Sequence, residues 1–352
     1  MNAPIPMPDP SLTVKLLDSA AAGRWDAFVA ACPQATFFHR AGWKEVLERA
    51  FGHRAYFLYA ERAGVVEGVL PLGHVRSRLF GHYLSSTPFC VIGGVAAATP
   101  AATSALEEKA EALARELGVD YLEYRNQVPC HPKWPCKDNL YVNFRKEIHP
   151  DPEVNLAAIP RKQRAMVRKG IDAGLRSTID EGVGRFYDAY SRSVHKLGTP
   201  VFAKRYFEIL REVFREDCEI LTVSLDEQVI SSVLSFYFRD EVLPYYGGGG
   251  EAAREVKGND FMYWELMRRA AERGIRTFDY GRSKVGTGSY SFTTNWGFQP
   301  KPLDYEYRLI RAGAVPDLNP LNPKYRLFIN LWKRLPLRLT RLIGPHLVKN
   351  LG

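Results

Sequence analysis

Apolar residues recur with the same helical spacing in two parts of the chain. Positions four residues apart fall on one face of an α-helix, so each triplet predicts one amphipathic helix. The two triplets are Trp43, Leu47 and Phe51 in the first half, and Tyr206, Leu210 and Phe214 in the second. The same offset separates every matching pair, which suggests that one structural plan is used twice.

A predicted strand pair follows each of these helices. Runs rich in β-branched and aromatic residues flank a short polar turn in both halves, which is the pattern of a β-hairpin. The predicted strands are 56–60 and 65–72 around the turn 61–64, and 220–225 and 229–238 around the turn 226–228. The order of elements is therefore the same in both halves.

A second helix and a further strand complete each half. Ser104 and Glu107 have the spacing of a capping box, and Gly118 ends the first of these helices. The second helix runs from about 260 to 273 and ends at Gly274. The strands that follow are 119–124 and 275–280. We therefore predict an α/β protein with mixed sheets, built from two tandem modules.

A basic segment separates the two halves. On a helix, Arg161, Arg164 and Arg168 share one face, while apolar residues share another. Gly170 weakens such a helix by roughly 1 kcal/mol, so it should depend on packing. The predicted ranges are a first module at 11–150, a connecting helix at 151–180, a second module at 181–312 and a tail at 313–352.

Composition is that of an ordinary globular protein, with 46% apolar and 25% charged residues in 352. No apolar run is long enough to cross a membrane, and the first residues do not have the pattern of a signal peptide. The five cysteines are scattered and odd in number, which is typical of a reducing compartment. We expect a cytoplasmic protein.

The net charge of +9 is concentrated in the tail. No acidic residue follows Asp317, whereas seven basic residues do, interleaved with leucines and aromatic residues. Such a basic amphipathic stretch, over 324–350, either contacts the anionic inner membrane peripherally or docks on the protein itself. Pro336 and Pro345 are predicted to break it into short pieces.

Three stretches of the second half resemble the FemAB family. They are 245–249 (YYGGG), 259–265 (NDFMYWE) and 278–284 (FDYGRSK). With the duplicated plan and the basic segment, they are most similar to the FemAB-like branch associated with PEP-CTERM exopolysaccharide systems. The resemblance implies two GNAT-like acyltransferase modules, of which the second is catalytic.

The resemblance also implies the chemistry. FemAB enzymes move an aminoacyl group from aminoacyl-tRNA to an amine of a peptidoglycan precursor. We therefore expect transfer of an aminoacyl or acyl group to a saccharide or peptide precursor of the cell envelope. The donor is either aminoacyl-tRNA or acyl-CoA, with no tightly bound cofactor. One departure is Thr293, which stands where the family tends to have a lysine.

Acyl transfer to an amine needs hydrogen-bond donors for the oxyanion and a route for the amine's proton. The catalytic candidates are Tyr246, Asp279 and Lys284. Tyr246 either serves the reaction or is a core tyrosine, and Asp279 either serves it or pairs with Arg282. Lys284 or Arg282 would replace the charge of the missing lysine.

The substrate-binding candidates are Tyr245, Asn259, Arg282, Tyr290, Asn295 and Trp296, with Arg161, Lys162, Arg164 and Arg168 on the connecting helix. Asn259 has the position of a helix N-cap. The four basic residues either bind a diphosphate or tRNA backbone or form a solvated face. Glycines 247–250 either approach a ligand or form a flexible turn, and they match neither a P-loop nor a CoA pyrophosphate loop.

No metal site is predicted. Cys130, His131 and Cys136 do not have a common zinc spacing, and His39, His53, His74, His82 and His195 have no readable partners. Two other functions stay open beside the envelope transferase. The first is an acyl-CoA-dependent N-acyltransferase, and the second is a non-catalytic GNAT-like binding protein of an envelope or polysaccharide assembly.

Overall fold

The structure is a computed structural model that describes residues 11–77, 81–137, 140–315 and 323–350, and only the backbone of 323–327. Part of the predicted tail range, 313–352, therefore lies outside the described residues. None of the described helices is long and apolar enough to span a membrane.

Two sets of elements follow one another along the chain. The first half consists of β1 (Thr13–Leu16), α1 (Ala22–Ala31), α2 (Gly42–Val46), β2 (Arg54–Arg62), β3 (Val65–Ser77), β4 (Gly81–Ser86), β5 (Ala96–Ala97), α3 (Pro100–Leu117), β6 (Tyr121–Asn126), β7 (Cys136–Lys137) and β8 (Tyr141–Glu147). Short 3-10 and π-helical turns lie at Phe37–His39 and Leu47–Phe51.

The second half begins with two connecting helices and then repeats this order. It consists of α4 (Pro152–Ala158), α5 (Arg161–Asp172), β9 (Arg176–Asp180), α6 (Gly184–Leu197), α7 (Lys204–Phe214), β10 (Cys218–Leu225), β11 (Gln228–Phe238), β12 (Glu241–Gly249), α8 (Glu251–Glu255), α9 (Gly258–Glu272), β13 (Thr277–Lys284), α10 (Gly288–Asn295), β14 (Pro300–Pro302), β15 (Asp304–Leu309), α11 (Pro323–Arg334) and α12 (Leu337–Val348). The predicted hairpins and the α/β class with two modules are confirmed.

The last strand of each half lies in the sheet of the other half. The first sheet has the order β1-β2-β3-β4-β6-β15-β7, and the second has the order β14-β8-β13-β12-β11-β10-β9. β15 lies antiparallel to β6, and β8 lies antiparallel to β13. The ranges 11–150 and 181–312 therefore do not coincide with the two sheets, because the pairing of exchanged strands is not visible in local sequence.

The two helical triplets meet at the contact between the modules. The rings of Trp43 and Phe214 lie 5.2 Å apart, and those of Phe51 and Tyr206 lie 4.9 Å apart. Trp43 corresponds to Tyr206 and Phe51 corresponds to Phe214 in the repeated plan. The first residue of each triplet therefore contacts the last residue of the other triplet. This reciprocity is the property of a two-fold interface, here formed within one chain.

Helix α3 begins earlier than the predicted capping box. The Thr99 hydroxyl accepts the N–H of Ala102 at 3.2 Å, and Pro100 occupies the first helical position. Ser104 and Glu107 therefore lie inside the helix, and the expected capping box is wrong. Gly118, with φ of 61°, ends the helix as predicted.

The tail docks on the protein itself along one face. In α12, Thr340, Gly344 and Val348 are buried, and a Cβ at Gly344 would lie 2.9 Å from the backbone of Val201. Arg341 donates to Asp188 at 2.6 Å and to Ser191 on α6. The predicted break at Pro336 is confirmed. The break at Pro345 is wrong, because α12 continues through it to Val348 along its docked face.

Exchanged strand β15 is linked to the first module by His131. Its imidazole lies 3.1 Å from Glu107 on α3 and 3.1 Å from Glu306 on β15. Burial disfavours the imidazolium, but hydrogen bonds to the two carboxylates outweigh this and raise the pKa of His131 to about 9. At neutral pH the imidazolium therefore joins two carboxylates across the exchange.

We predict that His131→Gln lowers the melting temperature in a pH-dependent way. The folded-state pKa exceeds the ordinary 6.5, so the link stabilises fully below pH 6.5 and is lost as pH rises through about 9. Thermal unfolding of both proteins should show a large difference near about pH 6 and a small one near about pH 10. A difference that does not depend on pH would contradict the charged link.

Candidate functional site

Strands β12 and β13 lie side by side only where they begin. They pair in parallel at Glu241 with Thr277 and at Val242 with Phe278, and then separate. A register shift at Leu234/Ser235 places an extra residue in β12, and another at Asp279/Gly281 bends β13 toward β8. We call the opening beyond Val242 and Phe278 the strand gap.

Tyr246 lies on the β12 side of the strand gap and is partly exposed. Its hydroxyl is 2.9 Å from that of Tyr206 on α7, so one of the two donates to the other. Burial raises the pKa of Tyr246 above its ordinary value. The hydroxyl is therefore protonated at neutral pH, and its hydrogen is available to another acceptor when Tyr206 is the donor of the shared bond.

Tyr245 connects the two modules. Its hydroxyl donates to the carbonyl of Phe89 at 2.9 Å, and its ring packs 5.3 Å from Phe38 and 5.4 Å from Phe236. These contacts involve residues of both halves. The predicted substrate contact is thus already engaged in holding the first module against the second.

Arg282 lies on the β13 side of the gap and is exposed. Its guanidinium donates to the hydroxyl of Tyr305 at 3.0 Å and lies 4.5 Å above the ring of Tyr141. Both tyrosines belong to exchanged strands, β15 and β8. Within the described part of the chain, Arg282 has no carboxylate at ion-pair distance, so its charge is uncompensated.

Asp279 does not pair with Arg282 as one prediction had it. Its carboxylate accepts the side-chain amide of Asn143 at 3.1 Å and the backbone N–H of Gly281 at 2.7 Å. Gly281 has φ of 72°, in the region that favours glycine. Burial raises the pKa of Asp279, and the two donors oppose that rise. Asp279 therefore stabilises the register shift of β13 that directly precedes Arg282.

A cavity of about 470 Å³ lies beside Asp279, between the two modules. Asn143 also lines it, and the side-chain oxygen of Asn143 is buried without a hydrogen-bond partner. The cavity therefore contains an unsatisfied acceptor next to a buried carboxylate.

The first module has the same arrangement in a closed form. Glu123 is the counterpart of Asp279, and it forms an ion pair of 2.5 Å with Arg125 on the same strand. Arg125 also donates to the carbonyl of Cys90 at 2.7 Å, and both charged residues are buried. In the first module, Arg125 is therefore neutralised by Glu123. In the second module, Arg282 has no such carboxylate partner among the described residues.

The glycine run is part of a strand and is not a flexible turn. Gly247, Gly248 and Gly249 continue β12 and pair with β11. A Cβ at Gly248 would lie 2.5 Å from the Cβ of Ser193 on α6, and one at Gly249 would lie 2.5 Å from the Asn259 side chain. Glycines are needed here because helices pack closely on both faces of the strand.

Asn259 is not the N-cap of its helix. Helix α9 begins at Gly258, and Lys257 occupies the cap position with φ of 59°. The Asn259 side chain instead packs against Gly249, and its oxygen is buried without a partner. A helix boundary one or two residues from the expected one accounts for the error.

Trp296 belongs to the core. It is fully buried, and its indole N–H donates to Asp260 at 3.2 Å. Gln163 on α5 donates to the same carboxylate oxygen. This network joins α5, α9 and the end of α10, so the Trp296 ring is part of the core, and its predicted substrate contact stays untested.

Helix α10 carries the other candidates of this region. Tyr290 packs 5.5 Å from Phe144 in the core on the opposite face of the sheet, while Asn295 is exposed. Thr293 is buried, and its hydroxyl donates to the Ser289 carbonyl at 3.0 Å. Lys284 ends β13 opposite Tyr141 and is partly exposed. Tyr245, Tyr246, Asp279 and Arg282 are thus brought together, whereas Tyr290 and Trp296 lie on the other face.

Helix α5 presents its basic side chains outward. Arg161, Lys162 and Arg168 are exposed, while Val167 and Gly170 pack inward. Arg161, Arg164 and Arg168 line a shallow groove of about 290 Å³ with Lys169 and Asp172. The predicted basic face is confirmed as a surface, and no prediction about what binds it is tested.

Sequence reasoning did not identify Tyr206, Tyr141 or Tyr305. Tyr206 follows the apolar spacing of α7, so nothing in its pattern singled out the hydroxyl. The other two lie on exchanged strands, and their proximity to Arg282 comes from pairing between distant segments. Only knowledge of the exchange would have indicated them.

Comparison with known proteins agrees with this architecture. Residues 160–292 match the family model described as an acetyltransferase (GNAT) domain, which is less than half of the chain. None of the curated proteins matches the chain in sequence.

Similar solved structures cover most of the chain. FemX shares 16% identity over 90% of this chain and 100% of its own, with a TM-score of 0.68. A tandem GNAT protein of clavulanic acid biosynthesis shares 14% over 87% and 100%, with a TM-score of 0.52. A C-terminal domain of a putative lysylphosphatidylglycerol synthetase from Agrobacterium fabrum shares 11% over 84% and 93%, with a TM-score of 0.54. The fold is therefore a FemAB-like pair of GNAT modules.

We predict that Gly248→Ala destabilises the protein, because its methyl group would collide with Ser193. Overpacking of this kind typically costs about 1–3 kcal/mol of unfolding free energy. The matched control is Gly250→Ala, where nothing lies within 4 Å of the added carbon. Denaturant unfolding should separate the two variants. Equal stability of both would mean that the run is not held by packing.

Proposed function

We propose that the protein is an acyl or aminoacyl transferase whose reacting carbonyl lies in the strand gap of the second module. The observation that carries the proposal is the gap itself, lined by a protonated tyrosine, Tyr246, and an uncompensated cation, Arg282. The match of residues 160–292 to an acetyltransferase domain supports an acyl group as the group that is transferred.

The residues of the gap suit the transfer of an acyl group to an amine. The amine attacks the ester or thioester carbonyl and a C–N bond forms. The bond from the carbonyl carbon to the donor's oxygen or sulfur then breaks, and the leaving alcohol or thiol takes up the proton that the nitrogen loses. Negative charge develops on the carbonyl oxygen in the transition state, and preorganised donors stabilise it there. In this proposal the Tyr246 hydroxyl is that donor, and Arg282 binds an anionic part of donor or acceptor.

Lys284 would assist as a second cation at the end of the same strand. Asp279 acts by positioning, because both its oxygens accept N–H groups that hold the bend before Arg282. The contrast with the first module supports this assignment. There the equivalent carboxylate pairs with Arg125 and leaves no open charge.

Aminoacyl-tRNA is the donor we favour. The chain has no pyrophosphate loop between β12 and α9, where the short helix α8 lies instead. The first turn of α9 contains the buried Asp260 carboxylate, and a negative charge there opposes binding of a pyrophosphate at this helix start. The buried face of α5 meets the same turn through Gln163, and the opposite, basic face of this helix offers a surface for a nucleic-acid backbone.

The proposed acceptor is an amine of an envelope precursor, either a saccharide or a peptide. The similarity of the fold to FemX supports it, as does the resemblance of three stretches to the branch associated with PEP-CTERM exopolysaccharide systems. A further structural neighbour is the C-terminal domain of a putative lysylphosphatidylglycerol synthetase, a name that describes an aminoacylated product.

A second candidate function is acyl-CoA-dependent N-acyl transfer. The acetyltransferase family model favours it. The third alternative, a non-catalytic binding protein, draws on Thr293, whose buried hydroxyl is bonded to the helix backbone in place of the expected lysine. A single set of measurements separates the three.

We expect the purified protein to bind aminoacyl-tRNA and acetyl-CoA not to displace it. Arg161→Gln with Arg168→Gln should weaken tRNA binding at least about fivefold, because two phosphate contacts are lost. The control is Arg268→Gln, which removes an arginine that pairs with Glu265 and Glu272 elsewhere. Fluorescence titration at fixed salt measures both. Binding of acetyl-CoA alone would favour the second candidate, and binding of neither would favour the third.

Transfer itself should depend on the gap. With labelled aminoacyl-tRNA and a panel of nucleotide-linked sugar and peptide acceptors, Tyr246→Phe should lower the rate by about 10²-fold, the effect of removing one oxyanion donor. Arg282→Gln should mainly raise the KM. The controls are Tyr237→Phe, whose hydroxyl bonds Glu219 away from the gap, and Arg268→Gln. Full activity in both gap variants would contradict the assignment.

We also propose that the outer face of the tail contacts the anionic inner membrane. Helices α11 and α12 dock through one face, and apolar side chains outside that face stay exposed, namely Phe328, Leu331, Leu339, Leu342 and Ile343. Basic residues share these helices, and Arg338 is exposed beside Leu339. Apolar and cationic groups on one surface helix suit an interface with anionic lipid.

Flotation with vesicles tests this contact without undocking the tail. Leu342→Ser with Ile343→Ser should abolish co-flotation with phosphatidylglycerol vesicles, while the wild type floats with them and not with phosphatidylcholine vesicles. Val65→Ser, at a comparably exposed apolar residue of the first module, is the control. Unchanged flotation of the double variant would exclude these side chains as the contact.

A further inference from the structure

A groove of about 640 Å³ opens on the first module, outside the strand gap. It lies where β2 begins, β3 ends and β4 begins, next to the end of α3. Six of the lining residues are histidines or arginines: His53, His74, His82, Arg54, Arg76 and Arg311. None of them takes part in the proposed transfer.

The arginines of this groove are not neutralised by the described chain. Arg54, Arg76 and Arg311 are exposed, and none has a described carboxylate at ion-pair distance. Arg311 donates to the Gly118 carbonyl at 3.3 Å. Asp120 is the acidic side chain nearby, and its carboxylate accepts the backbone N–H of His82 at 3.0 Å. The groove thus concentrates positive charge in a concave surface, which attracts anions.

Two histidines in the groove share one hydrogen bond. The Nε2 atoms of His74 and His82 lie 2.6 Å apart, so one ring must donate and the other accept. The pair therefore carries at most one positive charge while this bond holds. Burial, together with the charges of His82 and the neighbouring arginines, lowers the pKa of His74 to about 4.

The groove is unsuited to a metal ion. Two imidazole nitrogens that bind one tetrahedral zinc at about 2.0–2.1 Å each must lie more than about 3 Å apart. The His74–His82 distance is shorter than that, and three arginines would repel a cation. Among the described residues, no group of three or more metal-binding side chains was found.

We propose that this groove binds a phosphate or diphosphate group. Arginine guanidinium groups bind phosphate oxygens through paired N–H donors, and three of them converge here with an imidazole pair that can accept a proton. The volume lies within the range of small-ligand sites. The site is independent of the proposed transferase activity.

Binding should take up a proton. A bound anion favours the charged imidazole, so the pKa values of His74 and His82 rise on binding and affinity increases as pH falls. The groups that set this balance are Arg54, Tyr56 and His53 from the β2 side, Arg76 on β3, His82 on β4, and Asp120 and Arg311 beyond it. Asp120 raises the pKa of His82, whereas Arg76 and Arg311 lower it.

Calorimetric titration of the full chain tests the proposal with inorganic pyrophosphate and with sulfate. Sulfate does not titrate between about pH 6 and pH 8, so any pH dependence of its binding comes from the protein. We expect pyrophosphate to bind, and Arg76→Gln with Arg311→Gln to weaken it at least about tenfold. Sulfate should bind more tightly near about pH 6 than near pH 8, and His74→Gln should remove that difference.

Arg115→Gln is the control, because this exposed arginine lies on α3 and pairs with Glu111. Circular dichroism and thermal unfolding establish that each variant folds; His82→Gln replaces His74→Gln if the latter does not. A second arm compares uridine diphosphate with a short RNA duplex. Preference for the diphosphate indicates a free ligand, and preference for the duplex indicates a nucleic-acid phosphate. Absence of binding, or equal affinity in wild type and the double arginine variant, would overturn the proposal.

Discussion

The exchange of terminal strands is the constraint on which the rest of the structure depends. β8 lies beside β13 in the second sheet, and β15 lies between β6 and β7 in the first. Neither sheet is complete without a strand from the other half. The aromatic contacts of Trp43 with Phe214 and of Phe51 with Tyr206 then bury the surface between the modules. The two modules therefore form one cooperative body.

The same exchange shapes the candidate site. Tyr141 and Tyr305 reach Arg282 because they lie on the two exchanged strands. Tyr245 reaches Phe89 across the module contact, and Tyr246 meets Tyr206 on a helix of that contact. The exposed guanidinium of Arg282 is held by one hydrogen bond to Tyr305 and by its position above the ring of Tyr141. Strand exchange fixes them from both sides, while the first module, with Glu123 paired to Arg125, has lost the open charge.

Local periodicity made most of the elements predictable. Hairpins, amphipathic helices and the glycines that end α3 and α9 follow from side-chain spacing and backbone preference within a few residues. Errors occurred where a boundary depends on a competing group. Thr99 caps α3 in place of Ser104, and Lys257 precedes a helix that Asn259 was expected to cap.

The site was predictable only in part. The stretches around Tyr246 and Arg282 were identified, and they do flank one opening. The roles of the other candidates depend on how they are packed. Trp296 donates to a buried Asp260, and the glycines of β12 allow helices to pack on both faces of the strand. Packing of this kind depends on segments far apart in the chain, so no window of sequence contains it.

Strand exchange also determines when the first sheet can be completed during synthesis. The ribosome makes the helices and hairpin of the first module first, but the strand that lies between β6 and β7 is residues 304–309, and Glu306 follows Asn126 of β6 by 180 residues. Until it emerges, the edge of β6 exposes unpaired backbone groups, as edge strands do. The first sheet therefore stays incompletely paired until that strand has been made, and in this interval the nascent chain most needs protection from aggregation.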